Sequence, residues 1–127
     1  MPSVKTTMRG IVHEVGDIEF TGANNDYARQ RLVLFCPTQR DQHTGKPNGK
    51  DEFFVLDILG NNVETLNITE RFLDKVVQVE VRFFGNCYKK QDGSRGYATN
   101  TRLYNISIIS DAGSEFTRDA IELQMGY

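Results

Sequence analysis

The sequence predicts an all-β protein with one short helix, a barrel of five strands whose helix falls between the third and fourth. Three observations carry this. Five stretches alternate apolar with polar residues, or run as short apolar blocks bounded by Gly, Pro, Asn or Asp. One segment among them, Asn61 to Phe72, switches to helical spacing. And 127 residues can close one small hydrophobic core but not two ordinary ones.

Taken in order, Lys5 to Val15 reads as the first strand, with Met8, Gly10 and Val12 on one side and Arg9, Ile11 and His13 on the other. Gly10 inside it marks a bend, which a closed barrel requires. Gly16 to Asp26 is a polar loop. Tyr27 to Cys36 forms the second strand, placing Gln30, Leu32, Leu34 and Cys36 on one face and Arg29, Arg31, Val33 and Phe35 on the other. Pro37, lacking an N–H, ends it. Residues 38–51 have no apolar periodicity and predict a flexible hairpin loop. Gly45-Lys46 within that loop is followed by Pro47, where a phosphate-binding loop needs Ser or Thr.

In the third strand, Glu52 to Gly60, Phe54, Leu56 and Ile58 point one way and Phe53, Val55, Asp57 and Leu59 the other. The helical segment carries Val63, Leu66, Ile68 and Phe72 as its apolar positions. Val76 to Ile109 supplies the fourth and fifth strands as a long hairpin turning at Asp92-Gly93. Alternation allows only one of Phe83 and Phe84 to face outward, and Phe84 is assigned there; Phe54 is assigned to the core. The tail from Ser110 is open between a short helix, on the partial stripe Phe116, Ala120 and Leu123, and disordered chain. This order matches the five-stranded Greek-key barrel called the OB-fold. The expected organisation is one domain over residues 1–110 and a short acidic tail over 111–127.

Composition narrows the function by exclusion. Hydrophobic residues at 39% and charged residues at 25% are ordinary for a soluble globular chain. No apolar run approaches the roughly 20 residues of a membrane span, and the start has no apolar signal-peptide core. An intracellular, cytoplasmic protein is expected, nucleoid-associated if bacterial. Cys36 and Cys87 lack metal-ligand spacing and read as reduced thiols packed as small hydrophobes. His13 and His43 have no clustered carboxylates. No nucleophile–base set appears either, so neither catalysis, a metal, a cofactor, a small-molecule substrate nor a membrane is expected. The net charge of −2 is unevenly spread: residues 1–110 carry +1 and residues 111–127 carry −3. A local cationic groove is compatible with that average, because potential depends on charges within a Debye length of about 8 Å.

The hairpin is where cations and aromatics interleave. Between Glu80 and Tyr104, Arg82, Lys89, Lys90, Arg95 and Arg102 outweigh Glu80 and Asp92 by +3, with Phe84, Tyr88, Tyr97 and Tyr104 among them. Arg29, Arg31 and Phe35 on the second strand extend the same surface, as do Lys5 and Arg9 from the first. Flat π-surfaces along a cationic groove are what a sequence-tolerant binder of single-stranded nucleic acid needs. Tyr104 fits a subunit contact as well as a base.

From Glu52 onward the resemblance is to bacterial and phage-type single-stranded DNA-binding proteins. It rests on Glu52-Phe53-Phe54-Val55-Leu56-Asp57-Ile58-Leu59-Gly60-Asn61, and in the hairpin on Val77-Gln78-Val79-Glu80, Tyr88, Asp92-Gly93 and Tyr97-Ala98-Thr99. The resemblance implies that Phe53 and Tyr88 stack bases, that Leu59 stands where such proteins often carry a stacking Phe, and that the protein works as a homo-oligomer, a dimer or tetramer. It implies protection of single-stranded DNA in replication, recombination or repair, with RNA left open as a partner. The family's long Gly/Pro/Gln-rich linker and acidic tip have no counterpart here, so recruitment through that tip is not carried over. The expected binding residues are Arg29, Arg31, Phe35, Phe53, Arg82, Phe84, Tyr88, Lys89, Lys90, Arg95, Tyr97 and Arg102. The alternative is an OB-fold adaptor in replication or primosome assembly that acts mainly through protein contacts.

Overall fold

Alternating apolar residues close the sheet on itself. In the structure, a computed structural model that describes residues 4–126, the strands are β1 (Val4–Val15), β2 (Glu19–Thr21), β3 (Tyr27–Cys36), β4 (Glu52–Leu59), β5 (Lys75–Lys89) and β6 (Arg95–Asp111). They lie in the order β1-β5-β6-β4-β3-β2, and a further β1–β3 pairing shuts the ring. The five predicted strands are therefore β1, β3, β4, β5 and β6, and together they make the OB-fold barrel. At Ile11, next to Gly10, β1 passes from one partner to the other: Ile11 faces Val76 of β5 and Phe35 of β3. The predicted bend falls there. The polar loop after β1 contains a strand not foreseen, β2, which adds to β3 through Glu19↔Arg29 and Thr21↔Tyr27.

The core is the inner face of this ring. Val12, Leu32, Leu34, Leu56, Ile58, Val77, Val79, Val81 and Leu103 are all essentially inaccessible. Helix α1 (Asn61–Leu66) and a 3₁₀ turn at Glu70–Phe72 lie between β4 and β5, as predicted, and add Val63, Ile68 and Phe72 to the same core. Gln30, buried among apolar neighbours, donates from Nε2 to the carbonyls of Gly16 and Ile68, both at 3.0 Å, and so ties β3 to the segments on either side. Burying an amide is tolerable only with such partners. Phe83 packs against this core, whereas Phe54, although on the inner side of β4 opposite Leu34, is 37% exposed near the start of its strand.

Two outlying segments are ordered by their own contacts. Residues 38–51 double back through an Arg40↔Pro47 bridge and an Arg40–Asp51 ion pair at 3.1 Å. Of the two alternatives for the tail, helix holds: α2 (Arg118–Met125) begins at Thr117, whose Oγ1 accepts from the Ala120 N–H. Its anchor is not the expected Leu123, which is exposed, but Ile121, buried against Ile11 and Phe35 with Phe116 beside them. This overturns the assignment of Phe35 to the binding surface. On the outer side of β3 it was predicted to face solvent, yet it is 1% exposed because the C-terminal segment covers it. Cys87 is also not packed as a small hydrophobe; it is exposed.

Candidate nucleic-acid interface

The outer side of β5 and β6 collects the charged and aromatic residues. Across the β5–β6 ladder Arg82 faces Arg102, Phe84 faces Asn100 and Tyr88 faces Gly96, so these side chains share one face of the hairpin. A bulge between Glu80 and Val81 admits Tyr104 to the same row. The result is a ladder of two rings between two cations: the Arg102 guanidinium lies 4.4 Å from the Phe84 ring centroid, Phe84 and Tyr104 are 6.3 Å apart at 31°, and Arg82 sits 4.5 Å over Tyr104. Each guanidinium is oriented by a ring face, which a cation prefers. The Nε atoms of Arg82 and Arg102 are buried and have no hydrogen-bond partner among the described residues.

Charge on the neighbouring strands is shared unequally. β4 meets β6 in parallel at Asp57↔Arg102, and Arg31 faces Asp57 across the β3–β4 ladder. Asp57 takes Arg31 at 3.2 Å and Arg29 at 3.6 Å. One carboxylate thus serves two guanidinium groups and leaves the set positive. Arg29, Asp57, Leu59, Asn100 and Arg102, with Thr21 and Tyr27 at its edge, line one groove of about 280 Å3, which joins this set to the ladder. At the ladder's other end Glu80 is engaged by Lys5 at 3.1 Å and by Arg82 at 3.4 Å. The hydrogen bond from Lys5, with the Lys5 and Arg82 charges behind it, holds the Glu80 carboxyl below the usual glutamate range.

Tyr88 stands about 13 Å further along β5 than Phe84, on the same face, at roughly 3.3 Å per residue. Its ring lies flat over Gly96: a Cβ there would fall 2.5 Å from Tyr88 Cζ. Only glycine leaves that seat open, and Tyr88 is held with half its surface exposed. The tip is closed by Lys90 and Ser94, whose backbones bond at 2.8 Å. Asp92 accepts from the Ser94 hydroxyl at 2.6 Å and the Ser94 N–H at 2.9 Å, and both bonds, the hydroxyl first, lower its carboxyl below the ordinary value.

The predicted residues are therefore not one surface. Arg29, Arg31, Arg82, Phe84 and Arg102 are brought together, and Tyr88 continues their line. Lys89, Arg95 and Tyr97 project from the reverse side of the hairpin, where Lys89 faces Arg95 and Cys87 faces Tyr97; Lys90 lies in the turn. Phe53 lies toward the other end of β4. It is 39% exposed, with its ring against Phe35 at 5.0 Å and edge-on to His13 at 5.1 Å. Phe35 is removed from the set by burial. Sequence reading counted Tyr104 among the hairpin aromatics but left it out of the binding set, and it missed the two-arginine role of Asp57 and the seat that Gly96 makes. The alternation of Arg102 and Tyr104 would have pointed to Tyr104.

Neither a known family signature nor a curated protein matches this sequence. Solved structures do resemble it. The mitochondrial single-stranded DNA-binding protein Rim1 of S. cerevisiae superposes with a TM-score of 0.51 at 16% identity, over 88% of this chain and all of that one. The small single-stranded DNA-binding protein of Streptomyces coelicolor gives 0.49 at 16% identity, over 86% and 96%. The likeness to Rim1 is one of fold, the OB-fold barrel.

Proposed function

We propose that the protein binds single-stranded DNA with little sequence preference, on the outer face of β5 and β6. The observation that carries this is the ladder Arg102, Phe84, Tyr104, Arg82. It offers π-surfaces for bases beside two guanidinium groups. Every base has a π-face, so stacking of this kind is sequence-tolerant, and phosphates supply the counter-charge to the arginines. Tyr88, seated on Gly96, extends the track toward the hairpin tip. Lys89, Lys90, Arg95 and Tyr97 reach the strand as it passes round the hairpin, and Phe53 is an outlying platform at the far end of β4. The role is that of a non-catalytic coat, formed by a homo-oligomer inside the cell, that protects single strands during replication, recombination or repair.

Titration of a fluorescent oligo-dT at two salt concentrations tests the reading. Binding should be tight at low salt and weaken as log K falls with log salt, at about −0.7 per phosphate neutralised. Tyr88→Ala should weaken it by about 1–3 kcal/mol without unfolding the barrel. Absence of binding at low salt would overturn the proposal. Equal affinity for duplex and single strand would assign the binding to charge alone and remove stacking from it.

A further inference from the structure

A second concave surface lies between the β2–β3 ribbon and α1, and its chemistry is the opposite of the ladder's. The cleft is about 520 Å3, within the range of sites that take small ligands or anchoring side chains. Its walls are apolar: Ile18, Phe20 and Tyr27 are 49%, 60% and 47% exposed, with Ala28 and Val63 behind them. Tyr27 is fixed in place by Gly60, where a Cβ would fall 3.2 Å from its ring and where φ is +61°. Three large apolar side chains left open at one site are more than scattered surface residues.

The rim is acidic. Asp26 and Glu64 line the cleft, and Asp17 and Glu19 line the groove beside it. Among the described residues none of these four makes an ion pair. Arg29 and Arg31 also line that neighbouring groove and share the single Asp57 carboxylate, so the uncompensated acidity is that of Asp26 and Glu64 in the cleft itself. Rings in such a setting do not suit a phosphate backbone, because the uncompensated carboxylates repel it. They suit a cation-bearing partner with an apolar side chain to bury. Moreover, β2 is the end strand of the sheet order, so its outer backbone groups are available to an added strand.

From this we infer that the cleft between β2 and α1 is a docking site for an extended basic peptide segment of another protein, which seats an aromatic or aliphatic side chain on Phe20 and Tyr27 while its Lys or Arg residues meet Asp26 and Glu64. The inference is separable from DNA binding by charge and by Phe20 and Glu64, which line only the cleft, whereas Tyr27 stands between the cleft and the groove of Arg29 and Arg102.

Two synthetic hexapeptides titrated into the full ¹⁵N-labelled chain test it: Arg-Lys-Phe-Lys-Leu-Arg and its acidic counterpart Glu-Asp-Phe-Glu-Leu-Asp. The basic peptide should shift amides within 18–28 and 60–67, and the acidic one should not. Phe20→Ser, which alters a side chain already exposed, should weaken the basic peptide about tenfold or more while leaving oligo-dT affinity unchanged. Several results would overturn the inference: no shifts at millimolar peptide, an equal response to the acidic peptide, or shifts confined to the β5–β6 hairpin. So would perturbation of Phe20, Glu64 and Asn67 by oligo-dT, or by self-association of the chain without peptide, which would give the site to another occupant. Loss of oligo-dT binding with intact peptide binding would overturn only the proposed DNA function.

Discussion

The outer face of β3 and β4 has two ends that alternation alone cannot tell apart. At one end Arg29, Arg31 and Asp57 remain accessible and run on to Arg102 and Phe84. At the other, Phe35 on the same side of the same strand is sealed beneath Ile121 and Phe116, and Phe53 is pressed against it. The difference is made by a segment more than eighty residues away in sequence. Strand parity assigns a side chain to a face; whether that face is open depends on what later packs across it. Chemically the two ends have diverged accordingly, one into a charged groove and the other into a second small core.

The largest expected effect tests the covered end. Phe35→Ala should destabilise the fold by about 3–5 kcal/mol, the usual cost of emptying a buried aromatic site, read as a shift of the urea midpoint. A near-neutral Phe35→Ala would mean that α2 does not seal this end, and the contrast would collapse. Next, Phe84→Ala and Phe53→Ala separate the two aromatics. Phe84→Ala should lose about 1–3 kcal/mol of oligo-dT binding, since it removes a platform and the rest for Arg102. In Phe53→Ala the loss should fall chiefly on stability, because its ring packs on Phe35 and His13. Equal binding losses from both would restore Phe53 as a main platform.

Much of the barrel was legible because burial acts on alternate residues: the inner rows Leu32/Leu34, Leu56/Ile58 and Val77/Val79/Val81 are written in the sequence with period two. The helix between β4 and β5 was legible from Val63, Ile68 and Phe72 for the same reason. The site was legible only in its residue types. That Asp57 shares two arginines depends on the register that sets it opposite Arg31, 26 residues away in sequence. That Tyr88 lies over Gly96, with Tyr97 on the reverse side, depends on how the turn pairs Lys90 with Ser94. β2 was invisible because three exposed residues bury nothing. Ile121 lost to Leu123 in the reading because helix phase cannot be set until Thr117 is known to begin the helix.

Within the open end, Asp57 is expected to act as a brake. It neutralises part of Arg29 and Arg31 beside the groove that leads to Arg102, and it would repel a phosphate drawn there. Asp57→Asn keeps the shape and removes the charge. Oligo-dT should then bind several-fold tighter at low salt, and the salt slope should steepen by up to about 0.7, as one more phosphate is neutralised. Weaker binding would instead mean that Asp57 holds the arginines in their binding positions, and that their geometry outweighs their charge.

The smallest effect concerns the hairpin tip, which extends the open surface beyond the barrel. The Asp92 carboxyl is held below the ordinary aspartate value by the hydroxyl and N–H of Ser94. A depressed carboxylate stabilises the turn above its unfolded value of about 3.9, and that contribution disappears as pH falls through the lower folded value. Between pH 5 and 8 the tip should therefore be insensitive to pH, and any change in oligo-dT binding across that window must originate elsewhere. Ser94→Ala removes the first of the two bonds and should raise the Asp92 midpoint toward the ordinary value, followed by carboxyl ¹³C shifts. Stability should change little, as for an exposed turn. An unmoved Asp92 midpoint would mean that the Ser94 N–H alone carries the effect. A large loss of oligo-dT affinity would show that Tyr88 relies on the turn, and not only on Gly96, to keep its place on the open face.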